Sequence, residues 1–172
     1  MSRELLELIK TRRSVRRYKS DPVPQDLLDA VLEAGTYAPS AMGEQSCTLV
    51  AVQDPAVRKT LGEMNAKVMG GQGDPYYGAP VVVVALAKGP NAVPDGSCAL
   101  ENMMLAAHAL GLGSCWINRE REMFAAPEGK ALLVQWGLDE ELIGVGAIAL
   151  GWPDGEPKPA AARRAGAVVK VG

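Results

Sequence analysis

Six consecutive residues, Val81-Val82-Val83-Val84-Ala85-Leu86, constrain this chain more than any other stretch. The run is β-branched and continuously apolar, without polar alternation. That pattern belongs to a strand covered on both faces. A chain that contains it must supply packing layers above and below a sheet, and the flanking sequence reads as those layers. Leu5, Leu6, Leu8 and Ile9 mark one face of a first helix that ends near an Arg-rich segment. Ser20-Asp21-Pro22-Val23-Pro24 is a loop, because two prolines remove donors and fix φ. Leu27, Leu28, Val31 and Leu32 then mark a second helix that closes near Gly35. Cys47 to Gln53 is a strand, and Asp54-Pro55 opens a third helix with Asp as N-cap and Pro at the first helical position. Gly70 to Pro75 is a Gly-rich loop. A nearly all-apolar helix is predicted from about Asp95 to Leu110, which belongs in a domain centre or at a subunit interface. Ser114 to Asn118 and Val145 to Leu150 read as strands, with one helix from about Met123 to Trp136 between them. After Gly151-Trp152-Pro153 a tail ends in Ala167 to Val171, a further strand with no local partner. No repeat or internal linker interrupts the pattern, so residues 1–172 form one α+β domain.

Composition narrows the class. The net charge of −2 is uninformative until it is resolved by position. Residues 1–19 carry Arg3, Lys10, Arg12, Arg13, Arg16, Arg17 and Lys19 against Glu4 and Glu7, a balance of +5. Residues 158–172 carry Lys158, Arg163, Arg164 and Lys170 without an acid, or +4, and the stretch between is −11. The acidic body, a pI near 5.5 and a single Phe weigh against nucleic acid as the partner of the basic ends. Three cysteines cannot pair fully and fit a reducing compartment. No apolar leader core is visible, and the longest apolar run, Pro80 to Ala87, falls well short of the roughly 20 residues of a membrane span. A cytoplasmic, membrane-free protein is expected.

Three segments bear chemistry. Thr11-Arg12-Arg13-Ser14-Val15-Arg16-Arg17-Tyr18 sets four guanidinium groups and two hydroxyls at a helix-to-extended junction, a composition suited to a phosphate. In an extended segment residues 12, 14 and 16 point one way and 13 and 17 the other. A solvated basic patch or a nucleic-acid arm is the competing reading. Tyr37 to Gln45 follows a helix and combines small residues and a proline, which let backbone approach a planar ligand, with the polar edges of Ser40 and Gln45. A plain helix-exit turn would look the same. Gly111 to Arg119 takes a helix end into a strand tipped by Asn118 and Arg119. It is neither a dinucleotide fingerprint nor a P-loop. His108 is the only histidine and sits mid-helix among Ala and Leu, so a buried, hydrogen-bonded structural role is expected and a His-rich metal site is excluded. Cys47, Cys98 and Cys115 lack metal-ligand spacing, and Cys115 reads as a core thiol. No nucleophile–base set is apparent, and such an enzyme borrows its chemistry from a cofactor.

Taken in order, RRSVRRY, APSAMGEQ, GLGSCWINR and GVGAIALGWP followed by a basic tail resemble the flavin-dependent nitroreductase family in its short, compact branch. The similarity runs essentially the length of the chain. It implies an α+β fold with a central, mostly antiparallel sheet flanked by helices, and a C-terminal strand that reaches the partner subunit of a homodimer with FMN at the interface. By the same resemblance Arg12, Arg13 and Ser14 hold the FMN phosphate, and Arg16 approaches the N1/O2 edge of the ring and stabilises its negative charge. Pro39, Ser40, Ala41, Met42 and Gln45 line the flavin from the partner subunit. Ile117, Asn118 and Arg119 lie by its N5/O4 side, and Arg163 and Arg164 complete the phosphate clamp. The sequence departs from the family at Gly43, where Asn is usual, and at Ser46-Cys47, where Pro-Trp is usual. Ala160-Ala161-Ala162 replaces a stretch that tends to carry Lys and Pro, and the Gly70 to Asp74 loop has no assigned role.

The activity implied is reduction of a nitroaromatic, quinone or activated alkene by a ping-pong mechanism, with bound FMN and NAD(P)H as co-substrate. No residue acts as a nucleophile and no metal is required. A non-catalytic flavin or nucleotide carrier or sensor with the same clamp is the alternative.

Overall fold

The computed structural model describes residues 2–172, with side chains from Glu4 onward. Met1 and the side chain of Arg3, counted in the basic N-terminal segment, lie outside the described residues. The apolar run forms β2 (Val81–Ala87), buried along its entire length. Its partners are β1 (Cys47–Val52), β3 (Gly113–Ile117) and β4 (Ile143–Gly151), in the antiparallel order β1-β2-β4-β3. The two faces of β2 divide the core. Val81, Val83, Ala85 and Ala87 pack with α2 (Gln25–Thr36) and α4 (Ala92–Ala109). Val82, Val84 and Leu86 pack with α3 (Pro55–Val68), α5 (Glu120–Ala125) and α6 (Pro127–Gln135). A strand whose alternate side chains all meet helices has no use for polar alternation, which is why the run is continuous.

Local chemistry sets most boundaries as predicted. Asp54 Oδ1 accepts from Ala56 N and Val57 N, both at 2.9 Å, and Pro55 occupies the first position of α3. The helix α1 (Ser2–Thr11) stops at the Arg-rich segment. The α4 helix starts earlier than the apolar periodicity predicts, because Pro94 falls in its first turn, where a missing N–H costs nothing. Two expectations are corrected. The single helix predicted over 123–136 is two, since Ala126 is extended (ψ 155°) ahead of Pro127, as residues preceding proline prefer. Ala167 to Val171 forms no strand: residues 156–172 run irregular and exposed, because within one chain no sheet edge meets them.

The Arg-rich segment lies along the outer edge of the sheet. Val15 N donates to Ser114 O at 2.9 Å, Lys19 N to Trp152 O at 2.9 Å, and Asp154 N to Arg17 O at 2.9 Å. Gly113 makes the contact possible, since a Cβ there would meet the Val15 side chain at 2.9 Å. The exposed edge of β3 is thereby capped by the segment that carries the arginines.

Candidate active site

Backbone pairing of residues 14–19 with β3 and the end of β4 fixes the arginines around a groove of about 670 Å³. Arg13, Ser14, Arg16 and Arg17 form one wall, and the 154–159 segment, with Lys158, the other. Arg17 is paired with Asp154 at 2.9 Å, which ties the two walls together. The strict alternation expected of an extended segment does not hold, because the segment makes only isolated bridges at Ser14 and Tyr18, so residues of both parities face the groove. Arg12 turns away toward α4. Its Nε stands 3.9 Å from Glu101 Oε1, and its Nη1 is buried without a hydrogen-bond partner.

Beside the groove lies a second hollow of about 480 Å³, lined by Met69, Gly71, Gly73, Tyr77, Trp116 and Asn118 among others. Ile117 and Arg119 line it too, so the three residues predicted at the end of β3 share one wall. Asp74 shapes the opposite wall by accepting from Tyr76 N (2.9 Å) and Gly78 N (2.6 Å), which pins the end of the Gly-rich loop. Tyr77, held at φ 58°, meets the Arg16 guanidinium 6.0 Å from its ring centroid. Arg16 lines the groove and Tyr77 lines the hollow, so this contact joins the two.

The 39–45 segment forms a separate feature. Asp95, buried in the first turn of α4, accepts from Ala41 N at 3.0 Å and from Ser46 Oγ at 2.8 Å, while Gln45 N donates to Ser40 Oγ at 2.9 Å. Pro39, Ser40 and Gln45 line a pocket of about 130 Å³ that shares no residue with the groove or the hollow. Met42 (φ 54°) is 93% exposed. Gly43 has φ +69° and open space around it, a conformation that Asn also tolerates, so the departure from Asn changes the side chain without demanding a new backbone. Arg163 and Arg164 stand exposed in the tail, the former bonded to Ala161 O, and neither lines the groove, where Lys158 is the tail's cation.

Sequence reasoning overlooked Tyr77, Asp95 and a buried trio, Asn65, Tyr76 and Glu120. An aromatic pair directly after a Gly-rich loop was a readable sign for Tyr77. Asn65, Asp95 and Glu120 look like ordinary polar residues of helices and Tyr76 like a loop aromatic, and only packing reveals them. Cys115 is the core thiol expected, whereas His108 is hydrogen-bonded as expected but only half-buried. His108 Nε2 lies 3.0 Å from the Thr11 hydroxyl, which donates to Glu7 O. Burial, with Arg12 and Arg13 nearby, lowers the pKa of His108. Burial raises that of the Cys115 thiol, which is no activated nucleophile. Among the described residues no three His, Cys, Asp or Glu side chains converge on a point that could hold a metal.

Known proteins share this sequence pattern and fold. The model of the nitroreductase family matches residues 9–152. A protein of Archaeoglobus fulgidus named as an NADH dehydrogenase/NAD(P)H nitroreductase is 36% identical over 161 residues, covering 89% of this chain and 87% of its own. The crystal structure of a Bacteroides fragilis nitroreductase with bound FMN superposes with a TM-score of 0.86 at 35% identity, over 98% of both chains. A Desulfitobacterium hafniense nitroreductase with bound FMN has the same fold, with a TM-score of 0.87 at 22% identity and 98% coverage of each chain.

Proposed function

The chain belongs to the nitroreductase family, and from that premise we propose that it is an NAD(P)H-dependent FMN oxidoreductase acting on a small electron-poor acceptor, a nitroaromatic, a quinone or an activated alkene. One observation carries the reading: a basic groove joined to a hollow through the Arg16–Tyr77 contact. The residues suit the cofactor. Arg13, Ser14 and Lys158 supply charged and hydroxyl donors for a phosphate in the groove.

FMN bound there would supply two-electron redox chemistry between NAD(P)H and the acceptor. The chain's own groups bind, orient and polarise. Arg13 and Ser14 would hold the phosphate from the groove wall, whereas Arg12, expected beside them, faces α4. Arg16, fixed at the junction of groove and hollow, would present positive charge to a flavin bound there and favour its anionic reduced form. Ile117, Asn118 and Arg119 form the wall against which donor and acceptor are oriented in turn, which gives ping-pong kinetics. Because the side chains are not asked for covalent catalysis, a neutral His108 and a buried Cys115 cost the reaction nothing. Two chains form a homodimer in which the 39–45 segment of one, with Pro39, Ser40, Ala41, Met42 and Gln45, reaches the hollow of the other, and the tail arginines Arg163 and Arg164 reach a phosphate. The exposed Met42 and the unpartnered tail support this assembly.

The test is spectroscopic. Purified protein reconstituted with FMN is expected to show the visible band of oxidised flavin and to lose it anaerobically on addition of NADH or NADPH. Protein that ignores FMN overturns the reading. Flavin that binds and is not reduced by either nucleotide identifies a carrier instead of an enzyme.

A further inference from the structure

Behind the hollow, three buried polar side chains from three separate elements meet. Glu120 opens α5 and has no exposed surface, Asn65 from α3 has none either, and Tyr76 from the loop before β2 is 2% exposed. Tyr76 Oη donates to Glu120 Oε1 at 3.0 Å, and Asn65 Nδ2 lies 3.3 Å from the same oxygen. The shorter bond of Asn65 goes elsewhere, to Asn118 O at 2.7 Å. That carbonyl belongs to the turn whose next residue, Arg119, adopts φ 89° and ψ 0°, a left-handed conformation unfavourable for any residue but glycine. On its outer side the turn is held by Arg119 N donating to Asn118 Oδ1 at 2.9 Å.

We propose that Glu120 is a positioning residue of the active site: through Asn65 it forms, with Tyr76, a buried polar clamp that holds the Asn118–Arg119 turn against the hollow. The inference rests on the reading of that hollow as a flavin site. Three observations favour a clamp over mere filling. Glu120 Oε2 and Asn65 Oδ1 are buried without partners, and apolar side chains of similar volume would fill this space without leaving such groups unsatisfied. The Asn118 carbonyl is met by the Asn65 side-chain amide, the only donor it has among the described residues. The first residue of α5 is also pressed onto the sheet, since a Cβ on Gly144 would come within 2.2 Å of Glu120 O, so the turn cannot relax in that direction. A left-handed residue persists only where its surroundings over-determine it, and here they do so from both sides.

The experiment compares unaltered holoenzyme with Asn65→Leu, Glu120→Leu, Tyr76→Phe and Glu120→Gln, reading FMN affinity, visible circular dichroism of the bound flavin and the rate of its reduction by NADH. It also reads backbone amide exchange over residues 118–123 in FMN-free protein. Asn65→Leu and Glu120→Leu are expected to alter the flavin dichroism, accelerate exchange across the turn and slow reduction by about tenfold or more, the scale of a misplaced reacting centre. FMN affinity should change far less, because the phosphate groove lies apart. Glu120→Gln keeps the acceptor oxygen and is expected to restore most of the dichroism, exchange protection and reduction rate that Glu120→Leu loses. If Glu120→Leu does not fold, Asn65→Leu and the milder Tyr76→Phe decide. Variants that only melt earlier, with dichroism, exchange and reduction unchanged, overturn the clamp and leave the flavin reading intact. Failure of the unaltered protein to bind FMN overturns both, and is recognised before any variant is compared.

Discussion

Glu120 also ties the site to pH through the stability of the fold. Burial lifts its carboxyl from the usual 4.5 to about 7, and the hydrogen bonds from Tyr76 and Asn65 only partly oppose the rise. In the unfolded chain the group ionises near 4.5, whereas in the folded chain it keeps its proton to about 7. The folded state therefore binds more protons across that window. The stabilising contribution is whole below pH 4.5, is lost as pH climbs toward 7, and changes no further above it. The loss amounts to about 3 kcal/mol, at roughly 1.4 kcal/mol for each tenfold change in proton affinity. Glu120→Gln removes this titration. Urea melts of the two proteins at pH 5 and pH 8 should therefore differ in stability by an amount that moves in favour of Glu120→Gln as pH rises. A difference that stays constant between the two pH values would show that the carboxyl titrates normally. Nothing in the sequence around residue 120 announces this, because desolvation is a property of the neighbours that fold over a side chain.

Elements were more legible than their junctions. The continuous apolar run identified β2, and Asp54-Pro55 identified the start of α3, since each is decided by chemistry within a few residues. The α5–α6 break escaped because apolar periodicity carries on through Ala126 while Pro127 ends the hydrogen bonding. The site shows the same division. The arginines and the Asn118–Arg119 tip were readable as motifs, whereas the Arg16–Tyr77 bridge and the anchoring of the 39–45 segment depend on residues distant in sequence. Asp95 is the case that can be tested. It fastens that segment to the first turn of α4 by two bonds, from Ala41 N and Ser46 Oγ, in a position only 6% exposed. Asp95→Ala leaves both donors without an acceptor, at a cost of about 2–3 kcal/mol for losing bonds to a charged group. Chemical denaturation should report the lost stability. Limited proteolysis should report faster cutting between residues 38 and 47, with β2 and β4 still protected. Unchanged cutting would mean that the segment's shape is set by its own turn alone.

At the scale of the whole molecule, the described chain leaves its surface unfinished in a consistent way. Leu5, Leu6 and Ile9 of α1 are about half exposed, Met42 is 93% exposed, and Val168, Val169 and Val171 of the tail are 77%, 80% and 96% exposed. The tail contributes no strand and no buried side chain to its own chain, yet it carries the C-terminal basic cluster of +4. Apolar and cationic residues so placed are costly to leave in water and suit contact with a second copy whose central sequence carries net negative charge. Removal of residues 160–172 separates these roles from folding. The truncated chain should keep its far-ultraviolet dichroism, since both core clusters lie entirely within residues 18–152. It should also shift from dimer toward monomer by light scattering at micromolar concentration and bind FMN more weakly. The weakening has an electrostatic signature: with Arg163, Arg164 and Lys170 gone, FMN affinity should fall less steeply with added salt than in the full chain. A truncated protein that remains dimeric and holds FMN with undiminished affinity would place the second half of the phosphate clamp on Lys158 and the 154–159 wall of its own chain, and leave the tail without a part in the site.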